Sequence, residues 1–221
     1  MIGAVIGAPV VDGTLDEFKA WISKWSAQPE VKGVRQVLHP QPHKTCLRAD
    51  IVQKAKACGE LDRPLVFELC MRADDLDAAA ELAEACPQTS FVLDHCGGHH
   101  QLTAAAPPAM RRAWERGIQS LARRRNVFCK LSGLMGAQGG SDEGGAGVKA
   151  WSADVQRSSV SFCVEHFARD RLLFGGDWPV CTLSAPLGEW AACCEEILDE
   201  AGWSHEDKAA LARTAAECYR L

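Results

Sequence analysis

The chain has 221 residues, 47% hydrophobic and 24% charged, enough apolar material for one sizeable core in a single domain spanning 1–221. Its net charge of -5 gives no electrostatic case for nucleic acid or an anionic membrane surface, and the run Arg123-Arg124-Arg125 reads as a helix end complementing its dipole. The eleven cysteines contain no Cys-x-x-Cys pair, and several lie in apolar runs, which fits a reduced, cytoplasmic protein better than a disulfide or zinc scaffold.

Taken in order, Met1 to Ala8 is too short for a membrane span and lacks a basic leader, so Ala4 to Ala8 reads as a first strand. Thr14-Leu-Asp-Glu17 is a capping-box pattern, and Leu15, Phe18, Ile22 and Trp25 follow at helical spacing. Strands are expected at Val34 to Leu38 and Leu65 to Leu69. A helix follows at Asp74 to Ala85, closed by Pro87. Phe91 to Leu93, Val127 to Leu131 and Leu172 to Phe174 complete the strand-like runs. Further helices are expected at Pro108 to Arg124, Ser152 to Phe167, Leu187 to Leu198 and Ser204 to Tyr219. This β-then-α repetition favours a parallel sheet, open or closed into a barrel. The glycine-rich stretch Gly136 to Ala150 is a loop on the C-terminal side of the strands, read either as a lid or as an insertion without a role.

Two strands end in ionisable groups. Leu172-Leu-Phe174 runs through two glycines into Asp177, and Phe91-Val-Leu93 runs into Asp94 and His95 just before Gly97 and Gly98. Strand ends are where barrels and parallel sheets place their chemistry. Chain direction alone should carry Asp177 and His95 to one rim.

These motifs resemble the amidohydrolase-2 group of the amidohydrolase superfamily, and within it a sugar-lactonase-like branch. The resemblance rests on Gly33-Val-Arg35, Leu93-Asp-His-Cys-Gly97, Lys130-Leu-Ser-Gly133 and Phe174-Gly-Gly-Asp-Trp-Pro179 in that order, with Pro64 to Cys70 and Cys86-Pro87 between them. It covers nearly the whole chain and implies a (β/α)8 TIM-type barrel. That family's first strand carries His-x-His, which does not occur in this chain. The expectation is therefore an incomplete barrel whose first βα unit is absent or lies upstream, with strand edges open to pairing in a homo-oligomer.

By resemblance, Asp177 is the base that activates water and His95 the group that polarises a carbonyl. The pair would alternatively ligate a divalent metal such as zinc, and a site with no metal stays open beside that reading. A carboxylate that only caps a helix and a histidine satisfied within the core are the plainer alternatives. Arg35, Glu68 and Lys130 are candidate contacts for substrate oxygens, and Trp178 for a sugar face. Glu68, in mid-strand, needs a cationic partner such as Arg35 or Lys130. His39, His99 and His100 have a weaker claim on substrate, and His43, His166 and His205 read as surface or helix residues. The function implied is hydrolysis of a small lactone, a sugar aldonolactone or related carboxylated lactone. A metal-dependent decarboxylase of the same group, or an inactive truncated barrel acting as a binding module, are the alternatives.

Overall fold

The computed structural model describes residues 3–98, 101–102, 106–133, 153–183 and 185–221, with the backbone alone at 153–156. The stretch 136–150 read as a loop, and His99 and His100, lie outside the described residues. Strands β1 (Ala4–Gly7), β2 (Val31–Val37), β3 (Val66–Cys70), β4 (Phe91–Leu93), β5 (Val127–Leu131) and β6 (Leu172–Phe174) alternate with the helices. They form one six-stranded sheet in chain order, every neighbouring pair parallel. Among the described residues the sheet is open, with β1 and β6 at its edges, and holds two strands fewer than the eight of a closed barrel. The incomplete barrel expected from the motifs is thus the architecture found.

The helices are α1 (Leu15–Ser26), α2 (Ala49–Gly59), α3 (Leu76–Ala85), a single turn α4 (His95–Gly98), α5 (Pro108–Ala122), α6 (Ala153–His166), α7 (Leu187–Glu200) and α8 (His205–Tyr219). Local chemistry sets their starts. Thr14 and Glu17 form the reciprocal capping box of α1, and Ser204 and Asp207 form that of α8. Helix α2 buries Ile51, Ala55 and Cys58 together with Lys54. The Lys54 ammonium is satisfied by the carbonyls of Val10, Asp12 and Gly13 at 3.1, 2.8 and 2.8 Å.

Strands β3 and β4 are buried on both sides, so their residues alternate between two buried layers. Phe67, Leu69, Phe91, Leu93, Val127 and Leu131 belong to the large core shared with the helices. Val66, Val92 and Leu173 face the other way, in a small cluster with Cys218 and with Phe128, Ala215 and Tyr219 at its margin. The end of α8 therefore crosses onto the face of the sheet that carries Glu68. Among the described residues no helix is long and apolar enough to cross a membrane.

Candidate active site

The inner face of the sheet carries a charged ladder. Arg35 of β2 stands beside Glu68 of β3 in the strand register, and Lys130 projects from β5. The Lys130 ammonium donates to Glu68 Oε1 at 2.5 Å and to Asp94 Oδ1 at 2.8 Å. Arg35 lies 3.6 Å from Glu68 Oε2 and 3.6 Å from Asp94 Oδ2, and Tyr219 donates its hydroxyl to Glu68 Oε1 at 2.5 Å. Glu68 is only 2% exposed, and two cations and a phenol account for its burial. Both partners expected for it, Arg35 and Lys130, are present.

The ladder is balanced electrostatically. Burial opposes the charge on Asp94, but Lys130, His95 and Arg35 outweigh it and hold the carboxyl below its usual range. Burial likewise opposes the Lys130 ammonium, which Asp94 and Glu68 hold above the usual lysine value. Burial pushes the Tyr219 hydroxyl up, and the Glu68 carboxylate pushes it further. At the end of β3, burial and then Asp94 raise the Cys70 thiol to about 11, so it stays protonated at neutral pH.

At the C-terminal ends of the strands the chain turns sharply. Directly after β4, His95, Cys96, Gly97 and Gly98 all have positive φ, at 56°, 48°, 69° and 76°. Four residues thus make one left-handed turn, a conformation costly for the two that are not glycine. Trp114 fastens it by donating Nε1–H to the Cys96 carbonyl at 2.8 Å. A side chain at Gly98 would meet the Met71 carbonyl at 2.7 Å, so glycine there permits close backbone approach. Beyond β6, Asp177 also has positive φ, 52°, and its carbonyl accepts from Cys181 N–H at 3.0 Å.

These two turns bring His95 and Asp177 together. His95 Nε2 stands 3.8 Å from Asp177 Oδ1, while Nδ1 shares a hydrogen bond of 2.9 Å with the Ser132 hydroxyl at the end of β5. Arg35, Glu68 and Lys130 lie below this pair on the same sheet. Trp178 does not join them, being 72% exposed at the rim, where Val180 and Leu183 are exposed as well. His39 is half-buried; burial, then His95 and Arg72, hold its imidazole below the usual value. His43 pairs with Asp74 and Asp75, His166 stacks on Phe162, and His205 is exposed in α8.

Asp94, Ser132, Gly133 and Tyr219 were not singled out as site residues from the sequence. Asp94 and Ser132 stood inside the motifs, and their strand-end positions were the available signal. Nothing local marks Tyr219, which reaches Glu68 only through the packing of α8.

A parallel βα sheet with ionisable groups gathered at its C-terminal ends defines a protein of the β/α-barrel type. Residues 2–221 match the amidohydrolase family, and the chain belongs to it. It is 28% identical over 204 residues to L-fucono-1,5-lactonase of Burkholderia ambifaria, covering 90% of this chain and 63% of that protein. It is 31% identical over 131 residues to L-fucono-1,5-lactonase of Burkholderia multivorans, covering 59% of this chain and 43% of that protein. The chain thus spans less than two thirds of the length of these curated relatives. Its fold is similar to that of an amidohydrolase from Burkholderia multivorans solved with bound zinc, at TM-score 0.78 and 23% identity, over all of this chain and 74% of that one.

A catalytic zinc takes three protein ligands and keeps a fourth position open. Here His95 Nε2 and Asp177 Oδ1 supply two donors, and among the described residues no third carboxylate, histidine or thiol closes a group with them. The described residues therefore do not by themselves complete a zinc centre.

Proposed function

We propose that this chain hydrolyses a small sugar lactone, with Asp177 as the base and His95 at the carbonyl. The observation that carries the reading is the 3.8 Å separation of His95 Nε2 from Asp177 Oδ1. It is too long for a direct hydrogen bond and short enough for one water to touch both groups. Asp177 takes a proton from that water as its oxygen bonds to the lactone carbonyl carbon. His95, held through Nδ1 by Ser132, directs Nε2 toward the carbonyl oxygen as it becomes negative. The ring C–O bond then breaks, and the proton held by Asp177 passes to the departing ring oxygen.

Arg35 suits the orientation of the substrate's polar end, because its side chain is 44% exposed while its charge is anchored by Glu68 and Asp94. Lys130 is occupied by the same two carboxylates, so its part is to keep the ladder neutral beneath the substrate. The apolar rim at Trp178 offers a surface for a sugar face. The names of the two Burkholderia relatives support an aldonolactone as the substrate class. A divalent metal at His95 and Asp177 would need a further ligand beyond the described residues.

The test is hydrolysis of an aldonolactone panel by the parent chain and by Asp177→Asn, followed as acid release at constant pH. The substitution keeps shape and removes the base, so the rate is expected to fall roughly a hundredfold to ten-thousandfold. Equal turnover by the two proteins, or no turnover by the parent on any lactone, overturns the reading.

A further inference from the structure

Behind the His95 turn three thiols converge from three separate elements. Cys96 of α4, Cys129 of β5 and Cys163 of α6 are all buried, and their Sγ atoms lie within 4.8 Å of one another. Among the described residues no other set of three His, Cys, Asp or Glu donors is gathered this closely. None of the three is in a disulfide. One turn before Cys163, Ser159 is buried with its hydroxyl unpartnered among the described residues, which leaves an unused polar group on the same face of α6.

A pyramidal trivalent centre bonded to three sulfurs at about 2.3 Å sets them in a triangle about 3.5 Å on a side, so the cluster needs to close by at most about 1.3 Å. Charge decides what fits. Bound thiols are thiolates, so three of them leave a divalent ion with net negative charge and a monovalent ion with more. That excess would be buried within reach of the Asp94 charge, which acts on Cys129, and against the Lys130 carbonyl, which already lies 3.9 Å from Cys96 Sγ. Zinc also calls for a fourth ligand, and among the described residues no fourth donor belongs to this group. A trivalent centre with three thiolates is neutral and three-coordinate.

We propose that Cys96, Cys129 and Cys163 form a binding site for a trivalent thiophilic metalloid hydroxide, the class to which arsenite belongs. Each thiol displaces one hydroxide. Three S–H and three As–O bonds break, three As–S bonds form and three waters leave, with arsenic trivalent throughout, so no oxidant or reductant is required. Because the sulfurs are fully buried, binding follows the opening of α6 away from β5 and is slow. The site lies directly behind the His95 turn, and its readout does not depend on turnover.

The experiment incubates the reduced, folded 221-residue chain with sodium arsenite, removes the excess by desalting, and measures bound arsenic by elemental analysis and native mass spectrometry. One arsenic per chain is expected. Cys129→Ala and Cys163→Ala should each retain about tenfold less or lower still, whereas Cys58→Ala, a buried thiol outside the cluster, should retain the parental amount. Circular dichroism checks folding, and Cys163→Ser, nearly isosteric, replaces an alanine variant that does not fold. No arsenic on the parent, or arsenic that survives loss of Cys129 or Cys163, overturns the proposal.

Discussion

Gly133 lies directly against His95. A Cβ added there would stand 2.3 Å from both Cγ and Nδ1 of the imidazole, and the residue has a φ of 65°. The glycine that ends the Lys130-Leu-Ser-Gly133 motif is thus what lets β5 pass close enough for Ser132 to hold the ring. Gly133→Ala should cost about 1–2 kcal/mol from the left-handed backbone alone, and more from the displaced imidazole. Urea denaturation reads the loss, and an unchanged midpoint would show that the ring has room to move.

The charged ladder predicts a large asymmetry between lysines. Lys130→Met leaves Glu68 and Asp94 buried without their ammonium, a defect worth roughly 3–5 kcal/mol. Lys19→Met, on the exposed side of α1, should stay within about 0.5 kcal/mol of the parent. Similar denaturation midpoints for the two variants would mean that water reaches the ladder freely.

Acid should weaken the fold in a defined window. Asp207 has its carboxyl held down to about 2, first by Arg169, then by the Ser204 backbone N–H and hydroxyl, and Asp94 is lowered in the same direction. A depressed folded pKa stabilises above the unfolded value of about 3.9 and is lost as pH falls through the folded one. Thermal melts should therefore fall between about pH 4 and pH 2. Asp207→Asn should flatten part of that slope while leaving the Asp94 contribution, and an identical slope in the variant would count against the assignment.

Tyr219→Phe removes the hydroxyl from Glu68 Oε1 and keeps the ring, leaving Lys130 and Arg35 in place. Loss of a hydrogen bond to a charged group should cost about 1.5–3 kcal/mol. A melt indistinguishable from the parent would show that Lys130 alone satisfies Glu68.

Local patterns carried much of this far. Phe91–Leu93, Val127–Leu131 and Leu172–Phe174 are the runs expected from the sequence; the first is buried throughout and leaves an unbroken apolar signature, while Lys130 and the exposed Phe174 mark the more open side of the other two. Val31–Val37 starts earlier than its apolar run, since Lys32 and Gly33 mask the beginning of the strand. Helix α2 was not singled out, because Lys54 interrupts its buried face, and carbonyls forty residues upstream are what make that lysine acceptable. The meeting of His95 and Asp177 was legible from chain direction. Their left-handed backbones were not, because a positive φ at a histidine or aspartate leaves no mark in composition. Tyr219 was the least readable residue of all, since only the folded path of α8 brings it to Glu68.

That path has a bearing on how the chain folds as it leaves the ribosome. The contact of Tyr219 with Glu68 joins residues 151 positions apart, and Lys32 Nζ meets the Arg220 carbonyl across 188 positions at 2.8 Å. Until α8 has emerged, Glu68 lacks its phenol, and the inner face at Val66, Val92 and Leu173 lacks its cover. The nascent sheet must therefore wait, apolar face bared, for the most distant helix to arrive. Chaperone dependence should be set by that interval rather than by the strength of any single strand pairing.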